Sequence, residues 1–292
     1  MHSSLPQQSV TAPGSSPESI PGPGPRPGPF TFLAWTNITL GVSAAAFTWV
    51  TSLILDRPGD PLIAAFAFLL MAASYTRDRL QPAESDGSAR AAWVARNGRP
   101  LTWWMYGCTA ALLPLVVLRP WCAAMLAITA VTAWLYTAPL IPWRGARLAA
   151  RQIPHLKLPY VMVVWTLLGV LLPAVQQHGL VDPRAWLLAL AGPLIGSVMT
   201  LLNDLRDIEA DRRDGTHTLP AVLGERRTRL TAYTLAGLGA VIGLFLQPLP
   251  MLVWAAYNCV LLARYRPVPG EHPRPWGDAQ GLVVLAAVLL LS

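Results

Sequence analysis

The stretch that decides the fold reads Arg184-Ala-Trp-Leu-Leu-Ala-Leu-Ala-Gly-Pro-Leu-Ile-Gly-Ser-Val-Met-Thr-Leu-Leu202, followed by Asn203-Asp-Leu-Arg-Asp-Ile-Glu-Ala-Asp-Arg212. The first part is an apolar run close to the 20 or so residues that an α-helix needs to cross a bilayer. The second part changes abruptly to acids and arginines. This combination is typical of a membrane-spanning helix that ends at a charged membrane surface.

Apolar runs of this kind recur along the chain. Nine are predicted to span the membrane, at residues 31–55, 60–76, 101–118, 120–139, 158–175, 184–202, 228–246, 248–264 and 277–291. Only 13% of the residues are charged, whereas an ordinary soluble domain has about 25%. Because backbone polar groups in lipid must be paired within their own element, the runs predict helices. We therefore expect an all-α integral membrane protein with about nine transmembrane helices in a bundle.

The chain begins differently, because residues 1–29 are rich in proline, glycine and serine. Such a composition buries too little apolar surface to fold and predicts disorder. No basic segment followed by an apolar core is present in it, so it does not read as a signal peptide. The predicted organisation is a disordered cytoplasmic tail, 1–29, and a transmembrane domain, 30–292.

Basic residues alternate between the predicted loops and so indicate orientation. Of the 22 lysines and arginines, 18 lie in the loops that follow the second, fourth, sixth and eighth helices, and three lie in the other loops. The positive-inside rule places the first group of loops and the N-terminus in the cytoplasm. The prediction is a multi-pass protein of the plasma membrane. Since membrane orientation explains the net charge of +7, no nucleic-acid partner is expected.

The acidic segment after residue 202 carries Asp204, Asp207 and Asp211 at a spacing of i, i+3 and i+7. On a helix this spacing places three carboxylates on one face, where they repel each other. A divalent cation would remove the repulsion, and Mg²⁺ prefers carboxylates together with substrate phosphates. The alternative is a solvated charged loop that neighbouring arginines neutralise.

A second, weaker acidic segment follows the second predicted helix and contains Asp78 and Asp86. These residues are two helical turns apart, but Pro82 stands midway, where a third carboxylate would complete the face. Proline at this position also ends or kinks a helix. The alternative is an ion pair between Asp78 and the adjacent Arg77 or Arg79.

The longer stretch Asn203-Asp-Leu-Arg-Asp-Ile-Glu-Ala-Asp-Arg-Arg-Asp-Gly-Thr-His-Thr-Leu-Pro-Ala-Val-Leu-Gly224 closely resembles the second Asp-rich motif of the UbiA superfamily of membrane prenyltransferases. The turn Tyr136-Thr-Ala-Pro139 is similar to the family's Tyr-Ser-x-Pro turn, and Trp165 and Gly169 follow in order. The first motif departs from the family's Asn-Asp-x-x-Asp-x-x-x-Asp, since Ser74, Tyr75, Asp78 and Pro82 stand at those positions.

The resemblance implies a bundle of helices around a central cavity, with the two acidic segments facing each other across its mouth. It implies Mg²⁺ as cofactor, and as partners an isoprenoid diphosphate, a small hydrophobic acceptor and the lipid bilayer. The implied metal ligands are Asp78, Asp86, Asp204, Asp207 and Asp211. The implied catalytic residues are Asp78, Tyr136, Lys157, Asp204 and Asp207. The implied substrate-binding residues are Asn37, Arg77, Arg147, Arg151, Lys157, Asn203 and Arg212.

Within this set, Tyr136 is expected to stabilise a carbocation through its aromatic face. Asn37 has an alternative role, a hydrogen bond between helices. The implied reaction is Mg²⁺-dependent transfer of a prenyl group to a small aromatic or quinone-type acceptor. Two alternatives stay open: a membrane terpene cyclase acting on an isoprenoid diphosphate, and a non-catalytic lipid-binding or assembly protein on the same fold.

Overall fold

The structure is a computed structural model that describes residues 27–80, 89–138, 141–143, 146–148, 153, 156–177, 181–213, 218–266 and 277–291. Helices account for most of these residues. The two strands within the described ranges, β1 (Ile141–Trp143) and β2 (Ala146–Leu148), form an antiparallel hairpin. Of the predicted tail, 1–29, only the last three residues lie in the described part.

The described residues contain fourteen α-helices. In chain order they are α1 (Pro29–Trp35), α2 (Ile38–Ile54), α3 (Pro61–Arg79), α4 (Ala89–Arg96), α5 (Gly98–Leu118), α6 (Pro120–Thr137), α7 (Lys157–Thr166), α8 (Leu172–Gln176), α9 (Pro183–Arg206), α10 (Ile208–Arg213), α11 (Leu219–Leu223), α12 (Glu225–Gly243), α13 (Pro248–Arg264) and α14 (Gln280–Leu291). A π-helical segment, Leu167–Leu171, joins α7 to α8 without a break.

Each of the nine predicted apolar runs overlaps a helix, and the predicted all-α fold is confirmed. Three helical segments in the described ranges are long and apolar enough to cross a membrane, namely Gly98–Leu118, Lys157–Gln176 and Pro183–Arg206. The number becomes four if α1 and α2, which form a bent pair, are one span. The figure of about nine spans stays a prediction.

Several helices begin at a proline that the sequence places directly after a polar residue. The Asp60 side chain accepts a hydrogen bond of 2.8 Å from the backbone N–H of Leu62, and Pro61 is the first residue of α3. Asp182 and Pro183 begin α9 in the same way. A proline fits the first helical turn because its missing N–H would have no partner there. These pairs therefore fix where α3 and α9 start.

The first predicted run, 31–55, is a bent pair of helices instead of one straight helix. The two helices, α1 and α2, meet at an angle of 73°. The bend is at Asn37, whose φ of 60° and ψ of 17° are in the left-handed region. Asparagine tolerates this conformation better than other residues with a Cβ, apart from aspartate and histidine. The apolar pattern alone did not reveal the bend because both helices are apolar.

The long helices close into a ring. On one side α2 contacts α14, α14 contacts α13, and α13 contacts α12 and α9. The ring continues from α9 to α7, and the π-helical segment returns to α2. In addition, α3 packs on α2, α5 packs on α3, and α6 packs on α5 and α8. Their shared core includes Phe66, Ile63 and Leu168, which are all about 1% exposed or less.

Two glycines allow helices in this ring to approach closely. A Cβ on Gly239 of α12 would lie 2.7 Å from Ile195 of α9, and a Cβ on Gly281 of α14 would lie 2.3 Å from the carbonyl oxygen of Ser43 in α2. The Gly281 backbone N–H also donates to the Ser43 hydroxyl at 2.9 Å. Small residues of this kind are typical of close contacts between membrane helices.

The π-helical segment follows from Pro173. Proline has no N–H, so the carbonyl of Gly169, four residues earlier, lacks its usual helical donor. The hydroxyl of Thr51 in α2 donates to that carbonyl at 2.6 Å. The helix is thus widened where it faces α2, and the freed backbone group is satisfied from the neighbouring helix.

Candidate active site

A cavity of about 300 Å³ lies inside the ring of helices. Its interior is mainly apolar and aromatic, and charged side chains gather at one end, which we call the mouth. The lining residues come from α2, α3, α4, α7, the π-helical segment, α9, α13 and the turn before α14. Small-molecule sites are typically of this kind, apolar with a few converging polar groups.

The mouth is formed where several helix ends meet. The C-terminal ends of α3 and α9, the N-terminal end of α7 and the beginning of α14 all contribute. Among the described residues, four acids and four bases line it: Asp78, Arg79, Arg90, Lys157, Asp204, Arg206, Asp207 and Asp278. The predicted meeting of Asp78 with Asp204 and Asp207 at one cavity therefore appears in the fold.

A buried ion pair at the mouth joins Lys157 and Asp204. The Lys157 Nζ lies 2.6 Å from Asp204 Oδ1 and donates a hydrogen bond to it. The Asp204 side chain is only 2% exposed, whereas that of Lys157 is 35% exposed. A carboxylate buried to this extent needs a cation beside it. The ammonium group is thus fixed with one side on Asp204 and the other toward the cavity.

Asp207 and Asp211 continue the acidic segment. Asp207 lies between the end of α9 and the start of α10, and its carboxylate forms an ion pair with the Arg206 guanidinium. Asp211 accepts a hydrogen bond of 2.7 Å from the hydroxyl of Thr218, which is 2% exposed. Burial raises the pKa of the Asp211 carboxyl, and the Thr218 hydrogen bond opposes this rise. The three carboxylates are close enough to influence one another, although α9 ends before the second of them.

The other predicted site residues are more scattered. Asn203 lines the cavity. Asn37 is buried beside α3 and donates a hydrogen bond of 3.2 Å to the Thr76 hydroxyl, which corresponds to its alternative role, a hydrogen bond between helices. Arg77 is exposed at the end of α3, outside the cavity lining. Arg147 is exposed on β2, and Arg212 donates to the carbonyl of Ala221. Two predicted residues, Asp86 and Arg151, lie outside the described residues.

Tyr136 also lies outside the cavity lining. Its ring stacks on that of Tyr160. The two ring centroids are 4.1 Å apart and the rings are nearly parallel, at 10°. The aromatic wall of the cavity consists of other residues: Tyr75, Phe47, Trp165 and Trp254. Phe47 contacts both tryptophans, with centroid distances of 5.8 Å to Trp165 and 5.0 Å to Trp254.

Sequence reasoning missed several of the residues at the mouth. Tyr75 was visible only as a departure from the first motif, yet it lines the cavity together with Trp165. Arg79 and Arg90 line the cavity in place of Arg77 and Arg147. Asp278 had no sequence signal, since it is a single acid at the start of the last apolar run.

The donor set at the mouth fits magnesium chemically. All the acidic donors are carboxylates, and Asn203 adds an amide oxygen. Within the described ranges no three acidic, histidine or cysteine side chains converge tightly enough to enclose a cation. Mg²⁺ does not need such a cage, because it usually takes one or two carboxylates and completes its shell with water and substrate phosphates.

Fold and site together define a helical membrane protein whose apolar internal cavity ends in a charged mouth. The sequence model described as UbiA prenyltransferase family matches residues 95–275. The chain therefore belongs to the UbiA prenyltransferase family, which confirms the resemblance noted in its motifs.

Two solved structures have a similar fold. The apo structure of a UbiA homolog from Aeropyrum pernix K1 has a TM-score of 0.54 and 16% sequence identity, and the match covers 87% of this chain and 98% of that one. A UbiA homolog from Archaeoglobus fulgidus, bound to DMAPP and Mg²⁺, has a TM-score of 0.52 and 15% identity, with 90% and 98% of the two chains covered. No curated protein sequence gives a match.

Proposed function

We propose that this protein catalyses the Mg²⁺-dependent transfer of a prenyl group from an isoprenoid diphosphate to a small aromatic or quinone-type acceptor in the membrane. The observation that carries the proposal is the charged mouth, with Lys157 bonded to Asp204 at the entrance of an apolar cavity. An isoprenoid diphosphate has the matching form, with an anionic head and an apolar tail. The homologue bound to DMAPP and Mg²⁺ supports this choice of ligand.

The charge balance at the mouth supports a cation that accompanies the substrate. Its four acids and four bases, counted over the described residues, have no net charge when all are ionised. A diphosphate alone would add several negative charges next to carboxylates that are only partly solvated. Asp78, Asp204, Asp207 and Asp211 are the described residues that would hold Mg²⁺, with Asp86 as the further predicted ligand.

When bound, Mg²⁺ supplies positive charge to the diphosphate as a Lewis acid. The residues of the chain bind, orient and shield the substrate. In the proposed reaction the allylic C–O bond breaks, its electron pair leaves with the diphosphate, and an allylic cation remains. The Lys157 ammonium, with Arg79 and Arg206 nearby, stabilises the departing charge. An electron pair of the acceptor forms the new C–C bond, and the acceptor then loses a proton.

The aromatic wall is placed to stabilise the cation. Phe47 contacts both Trp165 and Trp254 along the cavity. Tyr75 lies about one helical turn before Asp78, which is at the mouth. Aromatic faces attract cations, with tryptophan the strongest. The same wall excludes water that would otherwise quench the cation.

Cavity depth favours a long prenyl chain. The lining of α9 extends from Asp204 to Leu188, which is about 24 Å at the helical rise per residue. A five-carbon prenyl unit adds four main-chain bonds, or about 4.5 Å when extended, if each bond advances as in an extended peptide. Farnesyl and geranylgeranyl chains would use most of this length, whereas a dimethylallyl group would stay near the mouth.

A second candidate function is cyclisation of the isoprenoid itself, and one observation favours it. Besides Thr200, the hydroxyls that line the cavity below the mouth are those of Thr51, Thr166 and Ser197, and each of these three donates to a backbone carbonyl. They therefore offer little donor capacity to a polar acceptor. An acceptor would have to bind at the mouth, whereas a cyclising chain would need only the aromatic wall.

We also propose that the mouth faces the cytoplasm of a cell whose plasma membrane the protein spans. The basis is the concentration of basic residues in the loops on the side of the mouth. The tail, 1–29, would lie on the same side, and residues 30–292 would form the transmembrane domain. The protein itself is a membrane protein by its family and its apolar helices.

One assay separates the candidate functions. Purified protein in detergent would be incubated with geranyl, farnesyl or geranylgeranyl diphosphate and Mg²⁺, with and without a panel of phenolic and quinone-type acceptors. Diphosphate release that requires an acceptor, with a prenylated product, is the expected result. A hydrocarbon or alcohol product without acceptor would support cyclisation. Binding of every donor without turnover would contradict both enzymatic functions and leave the non-catalytic, lipid-binding role.

A further inference from the structure

Thr200 of α9 lines the cavity at the inner edge of the mouth, one helical turn before Asp204. A helical threonine or serine commonly donates its hydroxyl to a backbone carbonyl three or four residues earlier. Thr166 and Ser197, which line the same cavity, both do so. The Thr200 hydroxyl instead has no hydrogen-bond partner among the described residues. It can therefore both donate to and accept from a molecule in the cavity.

Gln280, the first residue of α14, brings a second polar group to the cavity. Its side-chain oxygen accepts a hydrogen bond of 3.2 Å from the Trp254 indole N–H, which fixes the orientation of the amide. The adjacent backbone is also fixed, because the Gly281 N–H donates to the Ser43 hydroxyl at 2.9 Å. The amide nitrogen of Gln280 donates to no residue in the described part of the chain. Its N–H groups are thus held in place and available to a ligand.

The Trp254 indole brings these two groups to the same part of the cavity. Its ring lies along α9, since a Cβ on Gly192 would be 3.8 Å from Cη2 and a Cβ on Gly196 would be 3.8 Å from Cζ2. The indole N–H continues in the same direction, toward the mouth. Gln280 accepts from that N–H, and Thr200 is one helical turn beyond Gly196. The two groups therefore lie near the same end of the indole.

We propose that Thr200 and Gln280 bind the acceptor through a phenolic hydroxyl on its ring. This inference rests on the proposed function and narrows the class of the acceptor. A phenolic hydroxyl donates one hydrogen bond and accepts another. The two residues supply both partners, because the Thr200 oxygen accepts and the Gln280 amide donates. Trp254 adds an aromatic surface beside them, against which the ring of the acceptor packs.

The position of the two residues fits the proposed reaction. Thr200 lies about 6 Å along α9 from Asp204, the residue that pairs with Lys157 at the mouth. When the diphosphate occupies the mouth, the allylic carbon bonded to it is the first part of the prenyl chain inside the cavity. A ring held by Thr200 and Gln280 is then next to the carbon that receives its electron pair. An acceptor without a hydroxyl leaves both groups unpaired, so the site discriminates against it.

The test compares the binding of 1-naphthol and naphthalene, which have the same fused ring and differ only in the hydroxyl. Equilibrium dialysis in detergent, with Mg²⁺ and inorganic diphosphate present and the uptake by protein-free micelles subtracted, gives both Kd values. We expect the wild type to bind 1-naphthol about tenfold or more tightly than naphthalene. Thr200→Val, which removes the hydroxyl and keeps the side-chain shape, should reduce this preference to about twofold, whereas Thr200→Ser should keep it.

Two further variants make the result specific. Thr166→Val is the matched control, because it makes the same change at a cavity hydroxyl that already donates to the Met162 carbonyl. It should leave the preference for 1-naphthol unchanged. Gln280→Met removes the amide on α14 and should lower the preference independently of any change in α9.

Three results would contradict the proposal. A wild type without a preference for 1-naphthol, or a Thr200→Val protein that keeps it, would overturn the acceptor site and leave acceptor-dependent prenyl transfer intact. An equal loss of the preference in Thr166→Val and Thr200→Val would show a general disturbance of the cavity and would also overturn the site. Release of a hydrocarbon from farnesyl diphosphate, with no prenylated product from any acceptor, would overturn the proposed function and, with it, this inference.

Discussion

Lys157, the first residue of α7, and Asp204, in the last turn of α9, are joined by a hydrogen-bonded ion pair of 2.6 Å. Each residue stands at the helix end that disfavours its charge, because a helix is positive at its N-terminus and negative at its C-terminus. The dipole of its own helix therefore does not stabilise either charge; each charge is stabilised by the charged residue on the other helix. An arrangement that opposes both helix dipoles is typical of a functional site, where charges are placed for a ligand.

The ion pair makes a prediction about stability. Lys157→Met should destabilise the protein by about 3–5 kcal/mol, because it leaves the Asp204 carboxylate buried and unpaired. The double variant Lys157→Met with Asp204→Asn should recover most of the loss, since no buried charge remains, while staying inactive. Unfolding midpoints in detergent measure both effects. Strictly additive losses in the double variant would show that the two residues do not interact.

The acidic segment makes a prediction about catalysis. Asp207→Asn should lower Mg²⁺-dependent turnover about a hundredfold or more, as is usual when a group that supports developing charge is lost. Glu209→Gln is the matched control, because it removes the same charge from an exposed residue of α10 that is two positions away. Steady-state rates at saturating Mg²⁺ give the comparison. Equal, mild effects of the two substitutions would mean that Asp207 is not a metal ligand.

Thr218 should matter through Asp211. Thr218→Val removes the 2.7 Å hydrogen bond to the Asp211 carboxylate and keeps the side-chain shape. Because partners of this kind orient metal ligands, we expect the apparent affinity for Mg²⁺ to fall about 10- to 100-fold. Thr218→Ser, which keeps the hydroxyl, should stay near the wild type. The concentration of Mg²⁺ that gives half-maximal diphosphate binding is the measurement, and a Thr218→Val value equal to that of Thr218→Ser would refute the link.

The preference of the protein for donors of different prenyl chain length should depend on Gly196. This residue lines the cavity about 12 Å along α9 from Asp204, and a Cβ there would just contact Trp254 at 3.8 Å. Gly196→Ala should therefore be tolerated, whereas Gly196→Leu should fill the cavity and shift the preference toward geranyl or shorter donors. Gly237→Leu is the control, since it makes the same change at an exposed, open position of α12. An unchanged ratio of kcat/KM between geranylgeranyl and geranyl donors would contradict the proposed depth.

The far end of α9 provides a prediction about pH. Hydrogen bonds from the Arg184 side chain and backbone N–H lower the pKa of Asp182 below its usual value of 3.8. The folded state thus favours the carboxylate, so this stabilisation is present above the unfolded pKa and is lost as the pH falls through the lower folded pKa. The difference in unfolding temperature between wild type and Asp182→Asn should therefore be larger at pH 7 than near pH 3. A difference that does not change over this range would show that the charge of Asp182 contributes nothing.

Much of the fold could be predicted because its signals are local. The apolar runs, the X-Pro helix starts and the spacing of Asp204, Asp207 and Asp211 can all be read within a few turns of helix. The bend at Asn37 could not, since a left-handed residue between two apolar helices leaves the hydropathy pattern unchanged. The aromatic role expected of Tyr136 is a similar case. The sequence indicates the end of α6 at which Tyr136 lies, but it does not indicate that the ring stacks on Tyr160 outside the cavity lining.

The sequence by itself determined that this is a helical membrane protein with an acidic, magnesium-type motif at one membrane surface, because run length and helical spacing are properties of short segments. Only the tertiary structure decided which charges meet. Lys157 reaches Asp204 across 47 positions, and Asp278 reaches Thr39 across 239. These pairs depend on which faces of distant helices pack together, and helix packing is set by the shape and burial of the whole bundle.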